Sequence, residues 1–416
     1  MSKAAYTFPI QRVRDQFPAL RRMYHGKSVG YFDGPGGSQV VKASIDAISA
    51  YMMSGGANLH GCFPSSVETE EIILQAKQAV ADFVGATPNE VAFGANMTTL
   101  ALSIARAMGK TWNKGDEIVV TELDHRANVD PWITMAEDKG VTVRWIKVNP
   151  DTLTLDESCL ESVITEKTKL VAVGLASNAV GTINSISNIA KHAHRMGAVV
   201  VVDAVHAAPH LFIDRDELGA DILLCSAYKF FGPHVGIAVI KEELFESLLP
   251  YKLAPAPAYI PDKLETGTQN HEGIAGIEPA IDFIASLAIE GTTRRERLRS
   301  GFEQIEEHEQ ALARKIRDGL SNIRGIKIFQ ANESVLKTPT IAFRLEGVSP
   351  REICEKLCEE QSIFVADGDF YAMTLAERLG IRENGGWVRA GLAPYNTEEE
   401  AERLVHGVRM IASMYE

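Results

Sequence analysis

Seven short apolar runs govern what this chain can fold into. They lie at Val91-Ala92-Phe93, Ile118 to Val120, Val141 to Val148, Leu170 to Leu175, Val199 to Val202, Ile222 to Leu224 and Val235 to Ile240, mostly separated by segments of helical periodicity. A strand apolar on consecutive residues is buried on both faces, and strands alternating with helices imply parallel pairing. The expected fold class is therefore α/β: a mainly parallel seven-stranded sheet covered by helices on both faces, plus a smaller α+β C-terminal domain.

Residues 1–30 read as a helix and loop packing with the small domain, 31–290 as the large domain, and 291–416 as the small one. Ser65 with Glu68 reads as a capping box opening a helix that buries Ile72, Ile73, Ala76, Val80 and Phe83 and closes at Gly85. A long charged helix is expected from Arg294 to about Arg324, with strands at Ile326 to Phe329, Thr340 to Leu345 and Ile363 to Val365. Helices follow at Ser349 to Glu360 and after Thr397, which with Glu400 forms a second capping box. The run Arg294-Arg295-Glu296-Arg297 reads as a solvated helix face, and His192 and His194 as exposed.

Composition narrows the function classes. Lys plus Arg total 42 against 55 for Asp plus Glu, a formal charge of −13, which argues against nucleic acid or an anionic membrane as a partner. The first thirty residues lack a continuous apolar stretch, so neither a leader nor a membrane span is read there, and a cytoplasmic location is expected. Five irregularly spaced cysteines do not read as a disulfide framework. Cys354 and Cys358 lack the further ligands of a zinc site, so no metal is expected.

In a parallel sheet, ligands gather outside the carboxyl ends of the strands. The residues there are chemically consistent with one another. Asn96, Met97 and Thr98 open a helix, where free backbone N–H groups suit an anion. His125 follows the second run and presents a flat ring; Asn178 follows the fourth; Asp203 and His206 follow the fifth; Ser226 and Lys229 follow the sixth. An aspartate and a lysine delivered to one rim, 26 positions apart, are what pyridoxal phosphate requires. The lysine amine bonds to the aldehyde, and the carboxylate keeps the pyridine nitrogen protonated. The cluster Gly34-Pro35-Gly36-Gly37 is no dinucleotide fingerprint and instead lets the backbone pass close to a ligand.

These residues also carry a family resemblance. Phe32-Asp33-Gly34-Pro35-Gly36-Gly37, Asn58-Leu59-His60-Gly61, Asp124-His125-Arg126-Ala127-Asn128, Ser177-Asn178, Asp203-Ala204-Val205-His206, Ser226-Ala227-Tyr228-Lys229, Thr266-Gly267-Thr268, and Arg389 before Tyr395-Asn396-Thr397 occur in that order. Together they resemble the class V aminotransferase group of fold-type I pyridoxal phosphate enzymes, in its cysteine desulfurase-like branch.

The resemblance implies roles. Lys229 would be the Schiff-base lysine and proton shuttle, Asp203 the partner of the pyridine nitrogen, and His125 the stacking ring. Asn178 and His206 would sit near the ring hydroxyl, with Asn96, Met97, Thr98 and Ser226 around the phosphate. Thr268 would reach the phosphate of a neighbouring subunit, which implies a homodimer. Arg389 would clamp the substrate carboxylate, with Asn58, His60 and Tyr371 in the substrate pocket. Three departures are visible: Tyr228 where a histidine is usual, His206 where many relatives have glutamine, and Met97 where threonine is common. A fourth bears on the reaction. Tyr371 aligns with the sulfur-accepting cysteine of desulfurases, and none of the five cysteines falls in Val365 to Ala372. The expected activity is a C–S or β-elimination lyase acting on an amino acid; transamination, epimerisation and non-catalytic cofactor binding remain open on the sequence.

Overall fold

The seven apolar runs assemble into one sheet in the structure, a computed structural model that describes residues 8–415. Its strands are β1 Val91–Gly94, β2 Glu117–Thr121, β3 Thr142–Ile146, β4 Thr168–Gly174, β5 Val199–Asp203, β6 Ile222–Ser226 and β7 Gly236–Ile240. The order across the sheet is β1-β7-β6-β5-β4-β2-β3, with β7 antiparallel to both neighbours and the pairs from β6 to β3 parallel. The alternation of side chains explains the continuous hydrophobicity. On β5, Val200 and Val202 pack into one core while Val201 enters the other; on β4, Val171 and Val173 oppose Leu170 and Ala172 in the same way.

Helix α1 (Pro64–Val84) buries Ile73, Ala76, Val80 and Phe83 on this sheet and ends at Gly85 in the left-handed conformation. The expected capping box at Ser65 and Glu68 does not form. Pro64 occupies the first helical turn, where its fixed φ favours initiation, so Phe63 becomes the N-cap and Ser65 lies inside the helix. Ile72 is only half-buried. The run Val141 to Val148 is likewise not one strand: it breaks after Ile146, and Val148–Asn149 pairs separately with Thr154–Leu155.

Helices α2 (Met97–Met108) and α3 (Ile277–Ala285) follow, and α4 (Arg294–Ser321) leads to a second, four-stranded antiparallel sheet. Its strands are β8 Ile326–Phe329, β9 Thr340–Leu345, β10 Ala366–Gly368 and β11 Trp387–Gly391, in the order β8-β9-β11-β10. Helices α5 (Pro350–Gln361) and α6 (Glu398–Ser413) cover it, and the Thr397–Glu400 capping box is present. Arg294 and Arg295 are not a solvated face. Arg294 reaches Asp82 at 3.1 Å and Asp282 at 2.9 Å, and Arg295 reaches Asp214 at 3.0 Å, so the start of α4 is tied to three other segments. His194 is exposed but pairs with Asp221 at 2.8 Å.

The N-terminal segment is described from Phe8; its residues 1–7 lie outside the described range. Val13, Phe17 and Leu20 pack into the core of the large sheet, while Gly30–Tyr31 pairs with Ile363–Phe364 and Arg14 binds Glu400 at 2.9 Å. Among the described residues no helix is long and apolar enough to cross a membrane.

Candidate active site

The carboxyl ends of β4, β5 and β6 and the start of α2 open onto a cavity of about 540 Å³, closed from the other side by β10, β11 and the segment to Tyr371. That volume suits a cofactor with a small substrate. Asn96, Met97, Thr98, His125, Asn178, Asp203, His206, Ser226, Lys229, Tyr371 and Arg389 all line it.

Lys229 ends the single 3₁₀ turn Ala227–Lys229 that follows β6. Its side chain is buried and its Nζ donates to the carbonyl of Pro35, so the glycine-rich segment does bring backbone to the amine. Burial, reinforced by the Arg389 charge, lowers this lysine to about 8. Asp203 is buried at the end of β5 and accepts the Val205 N–H at 2.9 Å. Burial raises its carboxyl to about 6.

His125 caps the turn after β2, with Nδ1 accepting the Ala127 N–H at 3.0 Å. In the neutral ring the proton is therefore on Nε2. Burial, together with Lys229 and Arg389, lowers His125 to about 4, so it presents an uncharged flat ring at neutral pH. The Tyr371 ring stacks on it at 5.1 Å between centroids.

The N-terminus of α2 is the part of the cavity whose backbone donors suit an anion. Asn96 Oδ1 accepts the Thr99 N–H at 2.9 Å, and Ser226 Oγ accepts the Met97 N–H at 3.0 Å. Ser226 is thus fixed against the helix end where backbone donors gather. Gly236 of β7 lies against the Asn96 backbone, leaving no space for a Cβ.

Arg389, central on β11, is 3% exposed. Its Nη1 donates to the Asn178 carbonyl at 3.0 Å and its Nη2 to Asp33 Oδ1 at 3.1 Å, while Nε has no partner. The Asn178 side chain donates to the Phe370 carbonyl at 2.8 Å, and its Oδ1 is also buried without a partner. Buried polar atoms left unpaired are expected where a ligand completes them. The Phe370 ring covers the guanidinium at 3.7 Å, and both Phe370 and Tyr371 hold φ above +50°. The His206 ring is buried and meets the hydroxyls of Thr338 and Thr340.

Asn58, His60 and Thr268 are not in this cavity. They line a second one of about 320 Å³ with Leu253, Lys263 and His271. The lining residues that sequence reasoning did not single out as site residues include Asp33, Asp124 and Phe370. Asp124 receives the Thr121 hydroxyl at 2.8 Å and is raised to about 7 by burial. Its position directly before His125, at a strand end, was the available signal. None of the five cysteines lines the cavity.

The donor set fits pyridoxal 5'-phosphate: a helix N-terminus for the phosphate, a neutral ring for stacking, a buried carboxylate, and a buried amine of lowered pKa. Residues 30–404 match the family model for class-V aminotransferases. A cysteine desulfurase of Yersinia pseudotuberculosis is 32% identical, covering 98% of this chain and 99% of that protein. An aminotransferase-like protein of Gibberella zeae is 31% identical, over 97% of this chain and 99% of its own. Among solved structures, an apo cysteine desulfurase from Thermococcus onnurineus aligns with a TM-score of 0.87 at 27% identity, covering 99% of this chain and 100% of that one. A cysteine desulfurase from Escherichia coli aligns at 0.86 with 25% identity, covering 98% and 100%.

Proposed function

The chain belongs to the class V aminotransferase family, and from that premise we propose that it is a pyridoxal-phosphate enzyme that breaks a C–S bond of an amino acid by β-elimination. The cofactor, once bound, supplies the electron sink that makes a proton on the substrate α-carbon removable. Lys229 holds the cofactor aldehyde and then, as a free amine, takes the α-proton. Asp203 keeps the ring nitrogen protonated, His125 stacks on the ring, and His206 and Asn178 serve its hydroxyl edge. Asn96, Met97, Thr98 and Ser226 hold the phosphate. Arg389 offers its unpaired Nε and its Nη2 to the substrate carboxylate in a fork.

The observation that carries the elimination reading is the absence of any cysteine from the cavity lining, with an aromatic pair, Phe370 and Tyr371, at its wall. Sulfur transfer to the enzyme requires a thiolate in reach of the substrate sulfur. Without one, the pair from the C–S bond leaves on sulfur as hydrosulfide. Water addition then releases the carbon skeleton as pyruvate and ammonia.

The active unit is proposed to be a homodimer divided into the segments 1–30, 31–290 and 291–416. The second cavity supports this reading, because Asn58, His60 and Thr268 gather beside strongly exposed Leu253 instead of at Lys229. Exposed Met52 and Met53 add apolar surface that a second copy would cover. A cytoplasmic location is part of the same proposal.

Single-turnover incubation with cysteine tests the reaction class. Hydrogen sulfide with pyruvate is expected; alanine with a stoichiometric protein persulfide would refute it. Absence of product from cysteine and cysteine thioethers, with transfer of the amino group to a keto acid, would assign the chain to transamination instead.

A further inference from the structure

His206, like His125, is a cavity residue whose hydrogen-bonding role depends on where a single proton sits. Its imidazole is held neutral: burial, His210, Arg389 and Lys229 all disfavour the charged form. A neutral imidazole donates from one nitrogen and accepts at the other, so the tautomer decides what the ring offers the cavity.

Nε2 lies 2.9 Å from Thr338 Oγ1 and 3.1 Å from Thr340 Oγ1. Both threonines are essentially buried, so their hydroxyl protons need acceptors. Thr338 has three within reach: His206 Nε2, Thr340 Oγ1 at 3.2 Å and the Gly181 carbonyl at 3.4 Å. Thr340 Oγ1 receives the Thr338 hydroxyl at 3.2 Å, and the atom then left to accept its own proton is His206 Nε2. If Nε2 carried the proton, the Thr340 hydroxyl would be a buried donor without an acceptor. With Thr338 donating to Thr340 or to the Gly181 carbonyl and Thr340 donating to His206, Nε2 is an acceptor and the proton sits on Nδ1.

We propose that Thr338 and Thr340, two residues of the C-terminal region, lock His206 in its Nδ1–H tautomer and so turn it into a hydrogen-bond donor for an anionic oxygen in the cavity. The consequence for the ring hydroxyl of the cofactor rests on the function proposed above; the tautomer does not. A glutamine, which the resemblance places here in many relatives, carries a donor and an acceptor on one amide and can rotate to suit. Histidine needs its acceptor nitrogen engaged elsewhere, and the threonine pair does that.

The neighbouring residues support a fixed ring. His210 stands edge-on to His206 at 5.6 Å between centroids, and its own Nδ1 is 2.8 Å from Glu309 Oε2. His210 therefore has a partner of its own and does not compete for the threonines. Thr338 and Thr340 reach His206 from 132 and 134 positions along the chain, so the donor presented at the end of β5 depends on how β9 is seated. Both threonines are positioning residues that act through His206.

The test is the tautomer itself, read by two-bond ¹H–¹⁵N correlation in histidine-labelled, cofactor-free protein, with a His206→Gln sample assigning the resonances. One nitrogen at the protonated shift and one at the unprotonated shift, in the Nδ1–H pattern, is expected for the parent protein. Thr338→Val with Thr340→Val should lose that single pattern, the two shifts moving toward a common average. Thr340→Ser, which keeps the hydroxyl, should retain it. Melting temperature measured alongside identifies any variant whose fold has changed, and Thr340→Ser then carries the comparison with Thr340→Val alone. An Nε2–H pattern in the parent, or an unchanged pattern in the folded double variant, would overturn the inference. Pyridoxal phosphate uptake, followed separately by its visible absorption, tests the function reading, so the two failures are distinguishable.

Discussion

The cavity makes Lys229 far more reactive at neutral pH than an ordinary lysine. Burial, with a smaller contribution from Arg389, lowers its pKa from 10.5 to about 8. The neutral amine is the nucleophile, so capture of an aldehyde falls as pH drops through this value and levels off above it. At pH 7 a lysine of pKa about 8 is roughly 10% neutral, against about 0.03% for an unperturbed one, a gain of about 300-fold. The assay is the initial rate of pyridoxal phosphate capture by cofactor-free protein from about pH 6 to about pH 10, trapped with borohydride and counted at Lys229 by mass spectrometry. A midpoint near 8 is expected. Arg389→Met should move it upward but leave it below the ordinary lysine value, because burial is the larger cause. A rate still rising at about pH 10, or a downward shift in Arg389→Met, would refute the reasoning.

Thr268→Ala should weaken cofactor retention only in the dimer, which analytical ultracentrifugation with absorbance detection checks; equal affinity in parent and variant dimers contradicts a trans contact. Arg294→Ala removes contacts to Asp82, Glu278 and Asp282 and should cost about 1–2 kcal/mol in denaturant unfolding, because the side chain is only partly exposed. His125→Ala should lose cofactor affinity without introducing a new pH step between about 5 and 8, since the parent ring stays neutral there; a parent titration inside that window would contradict it.

The strands were legible because burial on both faces writes itself as consecutive apolar residues, and the strand-end residues were legible because topology sends them all to one rim. Lys229, Asp203, His125 and Ser226 follow that rule. The features that escaped depend on distant partners. Nothing near Arg294 in sequence shows that Asp82 faces it, so two arginines of a run read as solvated became half-buried ties, while Glu296 and Arg297 remain exposed. Phe370 lies over Arg389 through a left-handed backbone at a non-glycine residue, which no propensity suggests. Thr338 and Thr340 look like an ordinary loop residue and an ordinary strand residue until β9 is set beside His206. Ser65 failed as a cap for a local reason: proline at position 64 started the helix first. Asn58 and His60 were grouped with the substrate pocket by resemblance, and within one chain they stand in a separate cavity beside Thr268.

Reduction of the cofactor-loaded protein with borohydride, followed by peptide mapping, shows which lysine holds the cofactor. One pyridoxyl group per chain on Lys229 is predicted, with none in Lys229→Ala. Failure to take up pyridoxal phosphate, or an adduct on any other lysine that persists in Lys229→Ala, would contradict it.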